Sequence, residues 1–370
     1  MGLYEERLNR IHAAVALEAV DRVPVISGNA AFNAAACGVT VADFISDMEL
    51  NCTCNIEGVK KCGDVDGVQL RISTPYVLPG MWLSQIRVPG KELADNELWQ
   101  VLEQELITED DYDTILENGW EAWYNEYMVT RLGNPGKEAA KQFQYAPVAK
   151  QRFLEAEIPC IKEGNIMSPF EMLCGGRSMQ TFLIDDLMEN AEKVEAVFKV
   201  IHSYNMDKYQ KQFESENKPC GVWVGGWRGT PGLLSPWMFE QFSWPYIREL
   251  VDLCLNYDVL PILHLDSCWD LGLEKFRDFP KGKCIMALDG KTSMKLAKDT
   301  VGDIMCIMGD VPAELLAFGT KEKVYEYVTH LLNMMGPAGY IICSGCDVPF
   351  NAKLENVQMM AQARDDYYKK

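Results

Sequence analysis

Histidine is scarce in this chain, with only four among 370 residues, so any chemistry that needs an imidazole has few places to reside. No apolar run approaches the roughly 18 residues that a membrane span requires. The start, "MGLYEERLNR", lacks the hydrophobic centre of a signal peptide and the Ser/Thr of a myristoylation signal. Both absences lead us to expect a cytoplasmic protein with no membrane partner. Basic clusters are also missing. The formal charge is −19, with 35 Lys and Arg against 54 Asp and Glu, which argues against a phosphate-backbone ligand and hence against nucleic acid. Thirteen cysteines are an odd number without a secretory framework, so they read as reduced thiols, mostly core filler with a few candidate ligands.

What is present is the composition of a well-cored globular protein, 48% apolar and 24% charged. The second half alternates short apolar runs with amphipathic segments. "GVWVGG" (221–226), "VLPILHLD" (259–266), "KCIMALD" (283–289), "DIMCIMGD" (303–310) and "GYIICSGC" (339–346) read as strands. "SPWMFEQFSWPYIRELVDLCLNY" and "TKEKVYEYVTHLLNMM" read as helices between them. Upstream, "RVPVISGN" (22–29) follows a helical "LYEERLNRIHAAVALEA", and "IPCIKEGNIMSPF" (158–170) leads into another helix. Strands apolar on both faces and separated by helices predict an α/β fold with a parallel sheet, whose commonest closed form is the (β/α)8 TIM barrel. Residues from about 66 to 150 break the rhythm. "GVQLRISTPYVLPGMWLSQIRVPG" predicts antiparallel hairpins, and "NELWQVLEQELITEDDYDTILENGWEAWYNEYM" an acidic, aromatic-rich helical insertion. With no repeat and no linker, residues 1–370 are expected to form one barrel carrying an N-terminal hairpin/helix elaboration.

Such a barrel keeps its site at the C-terminal ends of the strands, which draws attention to "PILHLDSCWD" (261–270). His264 and Asp266 share parity on one strand end, so their side chains share a face, while Cys268 lies past the strand. The cluster has the residue types of a metal site and equally those of a turn. Cys346 closes the last strand, also at a C-terminal end.

"RLNRIHAAVALEAVDRVPV", "GNIMSPFEML", "LSPWMFEQFSWPYIREL", "IMGDVP" and "YIICSGCDVPFNAKLENVQMM" together resemble the uroporphyrinogen decarboxylase superfamily over nearly the whole chain. Its members are (β/α)8 barrels of two kinds: cofactor-free porphyrinogen decarboxylases, and zinc-dependent methyltransferases that exchange a methyl group with a corrinoid protein. The decarboxylases carry a motif resembling R-Q-A-G-R after the first strand, which grips substrate carboxylates. Here "GNAAFNAAACGVT" (28–40) has no arginine. Where the decarboxylases have G-H-G at the last strand, "SGC" places Cys346 at a ligand position of the zinc methyltransferases. Those enzymes typically pair His-x-Cys with this distant Cys, whereas this chain has His264-x-Asp266, one thiolate exchanged for a carboxylate. The resemblance therefore implies a zinc site of His264, Asp266 and Cys346, with Cys306 of "DIMCIMGD" in reserve and Cys268 as a further alternative. "RVPGKELADNELWQVLEQELITEDDYDTILENG" resembles an insertion of the aromatic O-demethylase branch.

Other residues carry two readings each. "CSGC" (343–346) has dithiol spacing, but Cys343 and Cys346 have opposite parity, which favours packing for Cys343. "NCTCN" (51–55) is a cysteine pair without a second half. Trp223 and Trp227 share a face, and a flat substrate could stack there or the rings could be core. Asp289 and Asp310 end strands six and seven, and Asn29 ends strand one; each could touch substrate or cap the following helix. His12, His202 and His330 lie in helical patterns and are assigned no chemistry.

The function expected from the resemblance is methyl transfer from a methoxylated aromatic to the Co(I) corrinoid (cobalamin) of a partner protein, zinc polarising the ether oxygen, in a chain that can form a homodimer. Trp227, with Trp120, Trp123 and Tyr124 of the insertion, is expected to line the mouth without an obvious cationic anchor. This favours a neutral or singly charged methoxyarene over methanol, a methylamine or a methylthiol. A porphyrinogen decarboxylase is the competing reading.

Overall fold

The computed structural model of the chain describes residues 2–369. Eight short parallel strands form where the apolar runs meet glycine, proline and aspartate boundaries: β1 (Ile26–Ser27), β2 (Gly67–Val68), β3 (Asn165–Ile166), β4 (Gly221–Gly226), β5 (Leu260–Leu265), β6 (Ile285–Leu288), β7 (Cys306–Met308) and β8 (Tyr340–Ile341). β3 to β8 pair in sequence order and β1 pairs with β2. Isolated bridges Val68 to Cys160 and Val25 to Ile342 close the circle. The fold is the expected (β/α)8 barrel.

Strand pairing makes the interior legible. His264 lies beside Gly225 on one side and Ala287 on the other, and Ala287 beside Met308. Every second residue points inward. The lower interior is an apolar plug of Ile26, Ile161, Ile262, Ile285, Ala287, Cys306, Met308 and Ile341, sealed from below by Ile11, Ala14 and Val15 of the helix Leu3–Val15. The residues of opposite parity, among them Val222, Val224, Leu263, Leu265, Met286, Leu288 and Ile307, pack outward on the helices in a larger cluster. Each fully buried aliphatic side chain contributes about 1.5–3 kcal/mol. At the base, Asp66 accepts from Arg10 at 2.6 Å, Arg364 at 2.8 Å and the Val25 amide at 2.8 Å, tying the N-terminal helix, first strand and last helix together.

The region from 66 to 150 differs from expectation in three ways. Residues 67 and 68 are the second barrel strand, so the insertion begins after them. The antiparallel pairing is one two-residue ladder, Ile86–Arg87 with Gln100–Val101. A short helix, Leu78–Trp82, stands where a hairpin was expected, and the expected helical stretch from Asn96 becomes helix only at Glu109, where Thr108 and Asp111 form a reciprocal capping box; the amides of Leu106 and Ile107 go instead to the Gly176 carbonyl. Helices Glu109–Asn118, Trp120–Thr130 and Gly136–Glu155 complete the elaboration. Trp120 and Trp123 stack on each other at 5.0 Å and are buried in its core, with the Trp123 indole donating to Asp111. They do not line the barrel mouth, because the elaboration needs them to fill its own interior. Tyr124 likewise packs against Trp120 within it. No helix of the described residues is long and apolar enough to cross a membrane.

Candidate metal centre at the barrel mouth

β5 delivers the first two residues. His264 is its penultimate position, and Asp266 lies one step past the strand, its amide still donating to the Gly226 carbonyl of β4 at 3.0 Å. The third arrives from beyond β8. The chain runs on past Ile341 beside Val311, with Val311 donating to Cys343 and Gly345 donating back to Val311, which carries Cys346 to the mouth. One ligand atom from each of His264, Asp266 and Cys346 lies within 4.8 Å of the others, a group able to hold a metal ion. His264 Nε2 faces Asp266 Oδ1 at 3.5 Å.

The chemistry of this donor set fits a small dication. Asp266 Oδ1 is buried with no hydrogen-bond partner, an arrangement that costs free energy unless something else satisfies it. Burial, with the charges of Asp289, Glu171 and Asp347, pushes the Asp266 carboxyl up to about 7. Burial and the Asp347 and Asp266 charges push the Cys346 thiol up to about 12. Burial, then the Lys162 charge, pushes His264 down to about 3, leaving a neutral imidazole. Cys346 and Asp347 have exposed surface, yet the protein around Asp347 pushes its carboxyl up to about 6 against the pull of the Lys162 charge. A divalent ion would reverse the penalty on both anions. Nitrogen, oxygen and sulfur donors, three in number with room for a fourth ligand, are a zinc-type set.

The two reserve cysteines lie elsewhere. Cys306 starts β7 in the apolar plug, fully buried, and burial alone raises its thiol. It has the right parity but lies one inward layer below His264 and two below Asp266. Cys268 follows the turn at Ser267 and sits against Gly232 on the outer loop. Neither belongs to the group of three.

Trp223 is not available as a stacking platform for substrate, because both faces of its ring are covered. The His264 imidazole lies parallel to it, 4.2 Å away at an interplanar angle of 6°. On Trp223 the Lys162 ammonium also sits 3.7 Å from the ring centroid. Its Nε1 donates to Gln69 at 2.9 Å. Trp227, by contrast, is half-buried and meets Trp82 of the elaboration edge-on at 5.6 Å and His264 at 6.4 Å. Its ring lies over Gly225, where a Cβ would come within 2.3 Å of it. Gly175 admits the Trp82 carbonyl in the same way.

Glu171 fixes the loop that carries Trp227. Its Oε1 accepts the amides of Trp227, Arg228 and Gly229, each at 2.9 Å, while Oε2 has no partner. Burial raises its pKa against the pull of those three amides. Neither Glu171 nor Lys162 stands out in the sequence reading. A lysine inside the apolar run "IPCIKEGNI" and a glutamate inside "SPFEML" are the signals, since a charge with apolar neighbours must have a buried purpose. Lys162 also supplies the cation that was not expected near this site.

The remaining candidates have structural partners. Asp289 accepts the amides of Ser267 and Lys291 at 2.9 Å, so it shapes the β5 and β6 loops. Asp310 accepts the Tyr327 hydroxyl at 2.9 Å. Asn29 donates to Asn33 and to Cys62 Sγ, at the head of a buried carboxamide chain running through Asn33, Asn55 and Asn51. Cys343 is buried against Gln69, and all thirteen cysteines are free thiols.

The sequence profile of the family described as Uroporphyrinogen decarboxylase (URO-D) matches residues 128–367. The chain belongs to the uroporphyrinogen decarboxylase family. Among curated relatives, this family member is 24% identical to a uroporphyrinogen decarboxylase of Geobacter metallireducens over 63% of this chain and 67% of that one. It is 27% identical to a chloroplastic uroporphyrinogen decarboxylase 2 of Oryza sativa subsp. japonica over 34% and 31% of the two chains. The chain thus spans about a third of the length of the plant relatives it matches. A solved structure of a methyltransferase from Methanosarcina mazei superposes with a TM-score of 0.71 at 18% identity, covering 97% of this chain and 98% of that one, a likeness of fold.

Proposed function

We propose that this URO-D family member is a zinc-dependent methyltransferase that moves a methyl group from a methoxylated aromatic to the Co(I) corrinoid of a partner protein. The observation that carries the reading is the convergence of His264, Asp266 and Cys346 at the strand ends, with the buried Asp266 Oδ1 lacking a hydrogen-bond partner. Bound there, zinc supplies Lewis-acid stabilisation of the negative charge that grows on an ether oxygen as its methyl leaves. The chain's own residues do the rest. His264, Asp266 and Cys346 hold the ion with one carboxylate in place of a second thiolate, a harder donor set. Trp227 lies beside that position, 6.4 Å from the His264 ring and backed edge-on by Trp82, and offers a surface for a flat ring. Glu171 holds the Trp227 loop so that this wall is in place before the donor arrives.

The decarboxylase reading is disfavoured by residues 28–40, which contain no arginine. The corresponding helix, Phe32–Cys37, offers buried Asn33 instead of guanidinium groups for a polycarboxylate. The test is elemental analysis of the purified chain, then a methyl-transfer screen with reduced corrinoid acceptor and guaiacol, vanillate, veratrole, syringate, methanol and methylamines. About one zinc per chain and transfer from an aryl ether are expected. Preference for methanol or an amine would reject the aromatic donor, and coproporphyrinogen formed from uroporphyrinogen above a no-enzyme control would reject methyl transfer.

A further inference from the structure

We propose that Trp223, backed by Lys162, is the positioning residue that sets the His264 ring for metal ligation; this rests on reading His264, Asp266 and Cys346 as a metal site. A metal-bound imidazole is normally held by a hydrogen bond from its second ring nitrogen to a carboxylate or carbonyl, which fixes both tautomer and ring plane. His264 presents Nε2 to Asp266, and its Nδ1 has no such partner. Something else must stop the ring turning about its last torsion, whose well is broad.

The parallel indole does so. A rotation of the imidazole by a few tens of degrees would drive its edge into the Trp223 face 4.2 Å away. Trp223 is itself held by neighbours on both ends of its ring system. Its Nε1 is bonded to Gln69, whose amide in turn reaches Cys343 Sγ at 3.2 Å. Lys162 Nζ presses on the ring at 3.7 Å and is itself held by Asn165 Oδ1 at 3.0 Å. Trp227 closes the other side of His264 at an interplanar angle of 61°. Residues just past β2, on β3 and just before it, on β4 and β5, and beyond β8 therefore converge around this pair of rings. Lys162 is buried, and no carboxylate lies within ion-pair distance of it among the described residues, so the indole face and the Asn165 side-chain carbonyl are the groups in direct contact with its ammonium.

The test measures zinc affinity by competition with a chromophoric chelator, together with the visible spectrum of the Co(II)-substituted protein, for wild type, Trp223→Leu, Trp223→Phe and Lys162→Met. Trp223→Leu is expected to weaken zinc binding about 10- to 100-fold and to shift the Co(II) bands, as loss of an orienting partner does. Trp223→Phe, which keeps a flat ring, should recover most of both, and Lys162→Met should weaken binding roughly three- to tenfold. Should Trp223→Leu fail to fold, Trp223→Phe and Lys162→Met carry the comparison. Wild-type affinity and an unchanged Co(II) spectrum in every folded variant would overturn the positioning role while leaving the metal site standing. A wild-type chain that binds no zinc would instead overturn the metal reading itself.

Discussion

Along β5, β6 and β7 and just past them, the inward side chains read Ile262, His264, Asp266; Ile285, Ala287, Asp289; and Cys306, Met308, Asp310. The same parity on the same three strands passes from apolar plug to carboxylate within four residues. Parity alone therefore decides only that a side chain enters the barrel; height along the strand decides whether it meets packed hydrocarbon or the mouth. Below, a polar atom has no partner and no water, so only aliphatic, sulfur and small side chains are tolerated. Above, the strands separate, and backbone amides, hydroxyls and neighbouring charges become available to carboxylates.

The two cysteines at different heights give the sharpest way to break this comparison. Cys346→Ala should lose the bound zinc, from about one per chain to none, and methyl transfer with it, while circular dichroism and melting remain close to wild type. Cys306→Ala should keep its zinc and lose about 1–2 kcal/mol of stability to the small void it leaves. If Cys306→Ala lost the metal and Cys346→Ala retained it, the assignment of function by height would be reversed.

The next contrast lies on a single strand. Ile262→Ala removes three buried carbons from the plug and is expected to cost about 2–5 kcal/mol by denaturant titration with unchanged zinc content. Asp266→Asn, four residues on, should leave stability near wild type and lower zinc affinity by at least about tenfold, read by chelator competition.

How much of this was legible beforehand follows from the same geometry. The strand runs and the group His264, Asp266 and Cys346 could be picked out because pattern and parity are local properties of a strand, supplemented by a family resemblance. The depth of Cys306 could not be, since it depends on the stagger of strands that pair across the barrel. Trp223 has the residue type of a substrate platform, and only the arrival of Lys162 from the segment before β3 and of His264 from β5 shows that its ring is already covered. The elaboration is the least legible region. Its aromatic cluster of Trp120 and Trp123 signals burial in sequence, but the direction of that burial, into the elaboration rather than toward the mouth, is set by Asp111 and Arg131. Trp82, which does reach the mouth, sits in an unremarkable "GMWLS".

Trp227 and Trp120 sharpen that point at a smaller scale. Trp227→Leu should raise the KM for aryl ethers roughly three- to tenfold with kcat less affected, as expected for a stacking wall. Trp120→Leu should instead lower the melting temperature and leave KM unchanged, because Trp120 is core. Equal effects of the two on KM would return the elaboration's aromatics to the mouth.

The smallest expected effect concerns Asp310, the uppermost inward residue of its strand. Burial pushes its carboxyl up to about 6 from an ordinary 3.8, with the Asp289 charge adding to the shift and the Tyr327 hydrogen bond opposing it. A carboxyl whose folded pKa is raised holds its proton more tightly in the native state than in the unfolded chain. Its contribution to stability is therefore complete below about pH 4 and is lost as pH rises through about 6. In metal-stripped protein, wild type should lose stability across this window, with Asp266 and Asp347 contributing in the same direction. Asp310→Asn cannot ionise and keeps an acceptor for Tyr327, so its stability should fall less between pH 4 and 7, by roughly 1 kcal/mol. The comparison is made by denaturant titration at several pH values. Parallel curves for the two proteins would mean that Asp310 is solvated well enough to ionise freely, and that the apolar plug ends lower in the barrel than the burial of this residue indicates.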